Sequence, residues 1–468
     1  MIMDHIHLIG IGGSGLSAIA RLLLEMGFTV SGSDHLDSAF LADLRIQGAD
    51  IKIGHHSENI VGANLVVRSS AIADDNPEIK AAREAGIPVL KRADFLGNLM
   101  DGKTGIAVAG THGKTTTTAM LAWVLTALKQ DPSFIVGGIM SNLGVNARAG
   151  KGTCFVIEAD EYDRMFLGLK PMYEVITNVE HDHPDCYPTP QIFYAAFENF
   201  VDLLPADGTL VACGQDAGTT KLISHARTKN TRTATYGLDD NAVQKPGADF
   251  YSQAGNLSYN AKGGFSFDAI LNRRIYQVNL QVPGIHNVLN ALAVLTVIDL
   301  LHLPLDQAAL ALGDFQGTRR RFEMRGEPGG ITIIDDYAHH PTEIRATLAA
   351  ARARYPGRRI WVVWQPHTYS RTQLLQSEFS QSFLDADHVI VTEIYAAREQ
   401  KQDFSSSQVV KAMGHMAVQF IPELPDVSDY LINHLNIGDV LLVLSAGDAD
   451  QISTQVLHHY EHSEEKHV

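Results

Sequence analysis

Cysteine is scarce: the 468-residue chain has three, Cys154, Cys186 and Cys213. Their spacing makes no metal knuckle, and an odd count suits a reducing compartment, so a cytoplasmic location is expected. Basic charge is also in deficit. Lys+Arg number 37 against 53 Asp+Glu, a formal net charge of −16. Nucleic acid and acidic membrane surfaces both require a basic footprint, so neither is an expected partner. Small phosphorylated ligands stay open, because a few local donors hold them. Long apolar runs are missing too. None approaches the roughly 18 residues of a membrane helix, and the opening Met1-Ile-Met-Asp-His-Ile-His7 lacks the basic region of a signal peptide. With 45% hydrophobic and 19% charged residues, the composition is ordinary for a globular protein. The length suits about three domains.

What the chain has is alternation. Residues 6–10 read as a strand, a glycine cluster follows, 16–26 follow a helical pattern, and 28–30 form the next strand. Residues 65–67 and 87–90 are further strands, and 101–104 read as a linker. The pattern restarts with a strand at 106–109, a second glycine loop, a helix at 115–128, and strands at 155–157 and 175–177. Residues 214–264 are rich in Gly, Asn, Thr and Ser and read as turns and short peripheral strands. A third restart follows 317–321, with strands at 331–334, 360–363, 388–391 and 440–444. Strands alternating with helices build parallel sheets, and no short fixed period marks a solenoid. The expected fold class is α/β with three domains, over residues 1–100, 101–316 and 317–468. The first and last are Rossmann-like, and the middle one is of P-loop type.

Gly10-Ile-Gly12-Gly13-Ser14-Gly15 matches G-x-G-x-x-G between a strand and a helix. The glycines allow a tight turn and close backbone approach to a diphosphate at a helix N-terminus. Asp34 follows Gly15 by 19 residues, at the end of the second strand, where a ribose hydroxyl is held. The motif does not separate a nicotinamide dinucleotide from another nucleotide diphosphate. Gly110-Thr111-His112-Gly113-Lys114-Thr115-Thr116 is sharper. Backbone amides of such a loop wrap phosphates, the lysine reaches the terminal ones, and a hydroxyl holds Mg²⁺. Val108 stands where the first P-loop glycine is usual, so the working form is Gly-x-x-Gly-Lys-Thr.

Four further clusters follow apolar strands or open helices. Glu158-Ala-Asp160-Glu161 lies where a metal-binding carboxylate is expected near a P-loop. Asn178 to Asp185 packs His181, His183 and the three acids Glu180, Asp182 and Asp185 into one loop, as a second metal site or as a surface histidine cluster. His181 reads as the bystander of its two histidines. Asn287 and Asn290 lie at i and i+3 on one helix face, either reading an adenine edge or capping the helix. Arg319-Arg320-Arg321 is a solvated loop or a phosphate clamp at a domain junction. Finally, Asp335-Asp336-Tyr337-Ala-His339-His340 and Gln365-Pro-His367-Thr-Tyr-Ser-Arg371 both sit beyond the carboxyl ends of strands, where open α/β sheets bind ligands.

The ordered set resembles the Mur ligase family, which builds the peptide stem of peptidoglycan. GIGGSG, GTHGKTTT, EADE, the DH-containing loop, HNxxNxxA, RRF, DDYAHHP and QPHTYSRT run nearly end to end. GIGGSG, DDYAHHP and QPHTYSRT are most similar to the members that add the first amino acid, L-alanine, to UDP-N-acetylmuramate. The resemblance implies a UDP-substrate domain, a central ATPase domain and a C-terminal domain that brings the amino acid. By position it implies that Gly12, Gly13, Ser14, Gly15 and Asp34 hold the UDP part, with Ser69 and Ser70 lining the same site. Gly110 to Thr116 would hold ATP, with Lys114 on the phosphates and Thr115 on Mg²⁺. Glu158 and His183 would serve metal and acyl phosphate, and Asn287 and Asn290 would face adenine. Arg320, Asp336, Tyr337 and His339 would close the ATP site, and His367 and Arg371 would face the incoming alanine. The partners implied are the small molecules UDP-N-acetylmuramate and L-alanine, bound by a monomer or homodimer.

Two departures stand out. Several relatives carry a carbamylated lysine about a dozen residues beyond the DH loop, whereas Tyr194-Ala-Ala-Phe197-Glu-Asn-Phe200 has none. The L-alanine-adding members lack it as well. Thr368 stands where many of those members have arginine. Three rival readings stay in play: a family member that joins a whole tripeptide to the same sugar acid, a nicotinamide-dependent dehydrogenase, and a non-catalytic nucleotide-gated binder. A dehydrogenase has no use for the Gly-x-x-Gly-Lys-Thr loop.

Overall fold

A computed structural model describes residues 4–37, 39–238 and 250–465. Each restart of the sequence pattern builds its own sheet. The first contains β1 (His5–Ile9), β2 (Thr29–Asp34), β3 (Asp50–Ile53), β4 (Leu65–Arg68) and β5 (Val89–Lys91), all parallel in the order β3-β2-β1-β4-β5. The order reverses at β1, so a crevice opens beyond its carboxyl end. The glycine cluster lies there, and the helix Ser14–Glu25 leaves from it, burying Leu16, Ile19, Leu22 and Leu23 at helical spacing.

The second sheet has ten strands: β6 (Thr104–Ala109), β7 (Ser133–Ile135), β8 (Ala147–Arg148), β9 (Cys154–Glu158), β10 (Tyr173–Ile176), β11 (Thr209–Cys213), β12 (Arg232–Leu238), β13 (Phe250–Tyr259), β14 (Phe265–Leu271) and β15 (Arg274–Asn279). Their order is β15-β14-β13-β12-β11-β10-β6-β9-β7-β8. β6 lies between β9 and β10, parallel to both, so the residues that end those strands flank the loop after β6. The helix Lys114–Ala127 starts from that loop and packs on the helix Ile285–Leu300, whose buried residues run round nearly its whole circumference. A helix apolar on all sides belongs in a core.

One sequence reading is corrected here. Residues 214–264 are not merely turns and short strands. Asp216 caps a helix, Ala217–Thr228, by accepting from Thr219 N–H at 2.8 Å, and the helix buries Leu222, Ile223 and Ala226. β13 is ten residues long and extends the sheet. Three apolar positions at helical spacing were enough for burial despite the polar composition. Residues 239–249 lie outside the described residues.

The segment without a lysine forms the helix Pro190–Val201. Phe193, Phe197 and Phe200 are buried, and Phe200 stacks on Phe166 with ring centroids 4.6 Å apart. That face is core, and an ammonium there would be desolvated without a partner.

The third sheet contains β16 (Glu323–Gly326), β17 (Thr332–Asp336), β18 (Ile360–Gln365), β19 (His388–Val391), β20 (Val418–Phe420) and β21 (Val440–Ser445). The order is β16-β17-β21-β18-β19-β20, parallel except for β16. β17 and β18 lie on either side of β21, and the turns that follow them open on one crevice. Among the described residues no helix is long and apolar enough to cross a membrane.

Candidate active site at the junction of the three sheets

At the end of β1 the chain turns at Gly10, with φ of 84°. A β-carbon there would lie 3.2 Å from Ser69 Cβ, and Ser69 N–H donates to Ile9 O at 3.0 Å. Gly12 N–H donates to Asp34 Oδ2 at 2.8 Å. Gly13 is the N-cap of the helix that begins at Ser14, and Ser70 is exposed in the neighbouring turn. Gly12, Gly13, Gly15, Asp34 and Ser69 are thus brought together around a helix N-terminus, whose unpaired N–H groups favour an anion.

The loop after β6 is tightly wound. A β-carbon at Gly110 would lie 2.1 Å from Thr177 Oγ1, and one at Gly113 2.9 Å from Asn290 Oδ1. Lys114 Nζ donates to Gly110 O at 2.7 Å, to Thr111 O at 3.1 Å and to Glu161 Oε1 at 2.9 Å. Burial opposes its charge, but Glu161 and Asp160 hold its pKa above the ordinary value. Glu161 is fully buried, and its own pKa is lowered: burial works against its charge and Lys114 outweighs it. The sequence places Glu161 within the acidic run but gives an individual role only to Glu158. The signal for Glu161 was present, three residues after Glu158 in the same run.

Glu158 Oε1 accepts from Thr115 Oγ1 at 2.9 Å, and Oε2 accepts from Gly137 N–H at 2.6 Å. Burial raises its pKa, against the pull of Lys114. A hydroxyl and a carboxylate side by side at the phosphate loop are hard oxygen donors of the kind Mg²⁺ takes. His183 joins them through Glu161. Its Nε2 lies 3.5 Å from Glu161 Oε1, while its buried Nδ1 has no hydrogen-bond partner. An orphaned imidazole nitrogen fits a site that takes a further ligand. His181 points elsewhere, with Nε2 2.8 Å from Tyr187 O, in keeping with its bystander role.

Beyond the loop, a cavity of about 270 Å³ separates the central and third blocks, lined by Gly113, Thr116, Asn287, Asn290, Arg321 and Asp336 among others. Asn287 Nδ2 donates to Pro283 O at 2.6 Å, and Asn290 Nδ2 to Asn287 Oδ1 at 3.0 Å. The pair is thereby fixed on one helix face, and both amides border the cavity. Asp336 accepts from Phe322 N–H and Ala338 N–H, each at 2.7 Å, and burial pushes its pKa up to about 6.

The triple arginine needs a correction. Arg320 does not line the cavity: its guanidinium donates to Ser445 O at 2.7 Å and Gly447 O at 3.0 Å, bracing the end of β21. Arg321 lines the cavity instead. Arg320 has φ of 57°, and this left-handed kink sends the two neighbouring side chains apart. Both guanidiniums lie over Tyr337, at 5.3 and 4.9 Å from its ring centroid. Tyr337 therefore packs against the arginines rather than lining the cavity.

Thr111 ties the phosphate loop to the loop after β10 within the central block, and His112 reaches the third block. Thr111 Oγ1 donates to Glu180 O at 2.8 Å. His112 Nδ1 lies 3.0 Å from Glu343 Oε1 and Nε2 3.0 Å from Glu180 Oε2. Glu343 belongs to the helix Pro341–Arg354 of the third block, so His112 bridges blocks. Burial disfavours its charge, but the two carboxylates raise its pKa to about 9. Because the folded value lies above the unfolded one, this stabilisation is complete below about pH 6.5 and is lost as pH rises through 9. His112→Asn should therefore flatten the alkaline loss of melting temperature between about pH 6.5 and 9. An unchanged slope in the variant would count against the bridge.

One loop carries three such connections. Thr342 Oγ1 donates to Glu180 Oε2 at 2.9 Å, Arg371 Nε to Asp182 Oδ1 at 2.8 Å, and Arg398 Nη2 to Asp185 Oδ2 at 2.7 Å. Arg371 is 3% exposed and also donates to His367 O at 2.7 Å. Part of its fork is thus spent on the protein itself. Thr368 Oγ1 donates to Glu399 Oε1 at 2.7 Å, shaping the turn rather than facing a ligand. His367 stacks on Tyr395, and its ring centroid lies 5.8 Å from that of His339. Burial pushes His339 down to about 3 and His367 to about 4, so both imidazoles are neutral near pH 7.

Comparison with known proteins agrees with this geometry. Residues 5–104 match the Mur ligase family catalytic domain, 108–298 the Mur ligase middle domain, and 320–447 the Mur ligase glutamate ligase domain. A UDP-N-acetylmuramate–L-alanine ligase of Clostridium botulinum (strain Kyoto / Type A2) is 42% identical over 450 residues, 95% of each chain. The crystal structure of a UDP-N-acetylmuramate–alanine ligase from Thermotoga maritima superposes with a TM-score of 0.80 at 32% identity, covering 98% of this chain and 99% of that one. A murein peptide ligase from Psychrobacter arcticus gives a TM-score of 0.71 at 27% identity, covering 97% and 98%. With three blocks, a phosphate loop between them and relatives aligned across almost the whole length, the chain belongs to the Mur ligase family.

Proposed function

We propose that the chain joins L-alanine to UDP-N-acetylmuramate, driven by ATP and passing through an acyl phosphate. The observation that carries this reading is the convergence of Lys114, Thr115 and Glu158 at the end of β6 and β9. A carboxylate is a poor acyl donor, so it first attacks the γ-phosphate of ATP and displaces ADP; the amine then attacks the acyl carbon and inorganic phosphate leaves. Two anions meet in the first step, and Lys114 offsets their repulsion and stabilises charge on the transferring phosphoryl group. Thr115, Glu158 and His183 would hold Mg²⁺, which supplies further neutralisation of phosphate charge when bound. The glycine turn with Asp34, Ser69 and Ser70 would hold the UDP part, and the cavity beside Asn287 and Asn290 the adenine. Neutral His339 and His367 add no positive charge beside the incoming amine, which must be uncharged to attack. The bridges from Glu180, Asp182 and Asp185 to the third block support a closed arrangement in which water is kept from the acyl phosphate.

The competing activity within the family joins a tripeptide to the same sugar acid. Its amine substrate carries more than one carboxylate. Here Arg371 is paired with Asp182 and Arg398 with Asp185, so neither is left free for a second carboxylate. That favours a small amino acid with one carboxylate. L-alanine should be the preferred amine, with glycine and L-serine as poorer substrates, since one methylene in an apolar pocket gives only about 1–3 kcal/mol of discrimination. Competition between L-alanine and L-Ala-γ-D-Glu-meso-diaminopimelate at equal concentration, read by mass spectrometry of the UDP product, tests this. Preference for the tripeptide would overturn the alanine assignment and leave the ligase chemistry standing.

A further inference from the structure

Arg92 opens the helix Arg92–Leu99 at the end of the first block. Its side chain is 22% exposed, and Asp160 Oδ2 lies 3.7 Å from Nη2, beyond hydrogen-bond distance. Among the described residues nothing accepts from any of its five N–H donors. A guanidinium largely withdrawn from water with its donors unmet is costly. Such a group marks a place where an anion is to come.

Its position says which anion. Arg92 Nη1 lies 1.6 Å from where a β-carbon on residue 15 would be, so only glycine at that position admits the guanidinium. The last glycine of the fingerprint therefore makes room for an arginine as well as for a ligand. Arg92 and Gly15 share a cavity of about 100 Å³ with Gly137, Glu158 and Asp160. The lining includes Gly15 of the helix Ser14–Glu25 and Glu158, the carboxylate that accepts from Thr115. The cation thus shares one cavity with the start of that helix and with the phosphoryl-transfer carboxylate.

We propose that Arg92 binds an oxyanion of the UDP-sugar acid where that substrate crosses from the glycine turn to Glu158. This rests on the reading of the chain as a UDP-sugar-acid ligase. The substrate carries two groups of the right chemistry, the diphosphate and the carboxylate to be activated, and a planar guanidinium fork fits either. Asp160 holds the guanidinium in place without satisfying it.

The test is calorimetric titration of the full chain, without ATP, using UDP, UDP-N-acetylglucosamine and UDP-N-acetylmuramate. Arg92→Gln should weaken UDP-N-acetylmuramate binding about ten- to hundredfold. Arg92→Lys should recover only part of it, because an ammonium keeps the charge and loses the fork. If the carboxylate is the partner, UDP and UDP-N-acetylglucosamine bind as they do to the wild type. If the diphosphate is the partner, all three weaken together. Either pattern supports the proposal. Wild-type affinity for all three ligands in both variants overturns it, and Arg92→Lys decides alone if Arg92→Gln melts early. Failure of the unaltered chain to bind UDP-N-acetylmuramate overturns the underlying reading and this one with it.

Discussion

Turnover of Lys114→Ala falls by at least about a thousandfold, the scale of losing a cation that stabilises a transferring phosphoryl group. Affinity for the UDP substrate stays near that of the wild type. The separation follows from the architecture: Lys114 follows β6 in the second sheet, whereas the glycine turn follows β1 in the first. A second effect must be kept apart from the first. Lys114 is the hydrogen-bonded cation beside fully buried Glu161, and its removal leaves that carboxylate only His183, 3.5 Å away, as a charged partner. Breaking a buried pair costs about 3–5 kcal/mol of stability. Pairing the variant with Glu161→Gln removes the stranded charge, so melting temperature recovers while turnover does not. Parallel loss of UDP-substrate affinity and turnover would contradict the separation of sites.

Much of this arrangement was legible in the sequence. Both glycine loops follow apolar strands where the pattern put them, and Glu158, Asn287 and Asn290 border the phosphate loop or its cavity. Such motifs are local: a strand, a turn and a helix start within a few residues, and their chemistry shows in order along the chain. What was not legible is mostly long-range pairing. Asp182 and Arg371 are 189 residues apart, and Asp185 and Arg398 are 213 apart. No spacing rule connects them, so the loop read as a metal or histidine cluster is also the seam between two blocks. Side-chain direction was the second gap. Arg320 and Arg321 are identical in composition and adjacent, and only the left-handed backbone at Arg320 decides which one reaches the cavity. The helix Ala217–Thr228 escaped for a third reason, since its polar surface outweighed a narrow buried stripe.

Glu158→Gln should lower phosphoryl transfer by about a hundred- to a thousandfold, the range seen when one preorganised electrostatic contact is lost. The substitution keeps volume and removes charge. In the wild type, Oε1 accepts from Thr115 and Oε2 from Gly137 N–H. A glutamine has one acceptor oxygen, so one of those donors faces an NH₂ group instead. The hydroxyl of Thr115 or the Gly137 turn must then shift, and the change reaches geometry as well as charge. Added Mg²⁺ should restore activity only in part, because a higher concentration refills the site without replacing the missing carboxylate. A Mg²⁺ titration should therefore shift to higher concentration with a lowered plateau, and Mg²⁺-dependent nucleotide binding measured by calorimetry should weaken with it. Wild-type turnover at ordinary Mg²⁺ would show that Glu158 shapes the loop at Gly137 and takes no part in the reaction.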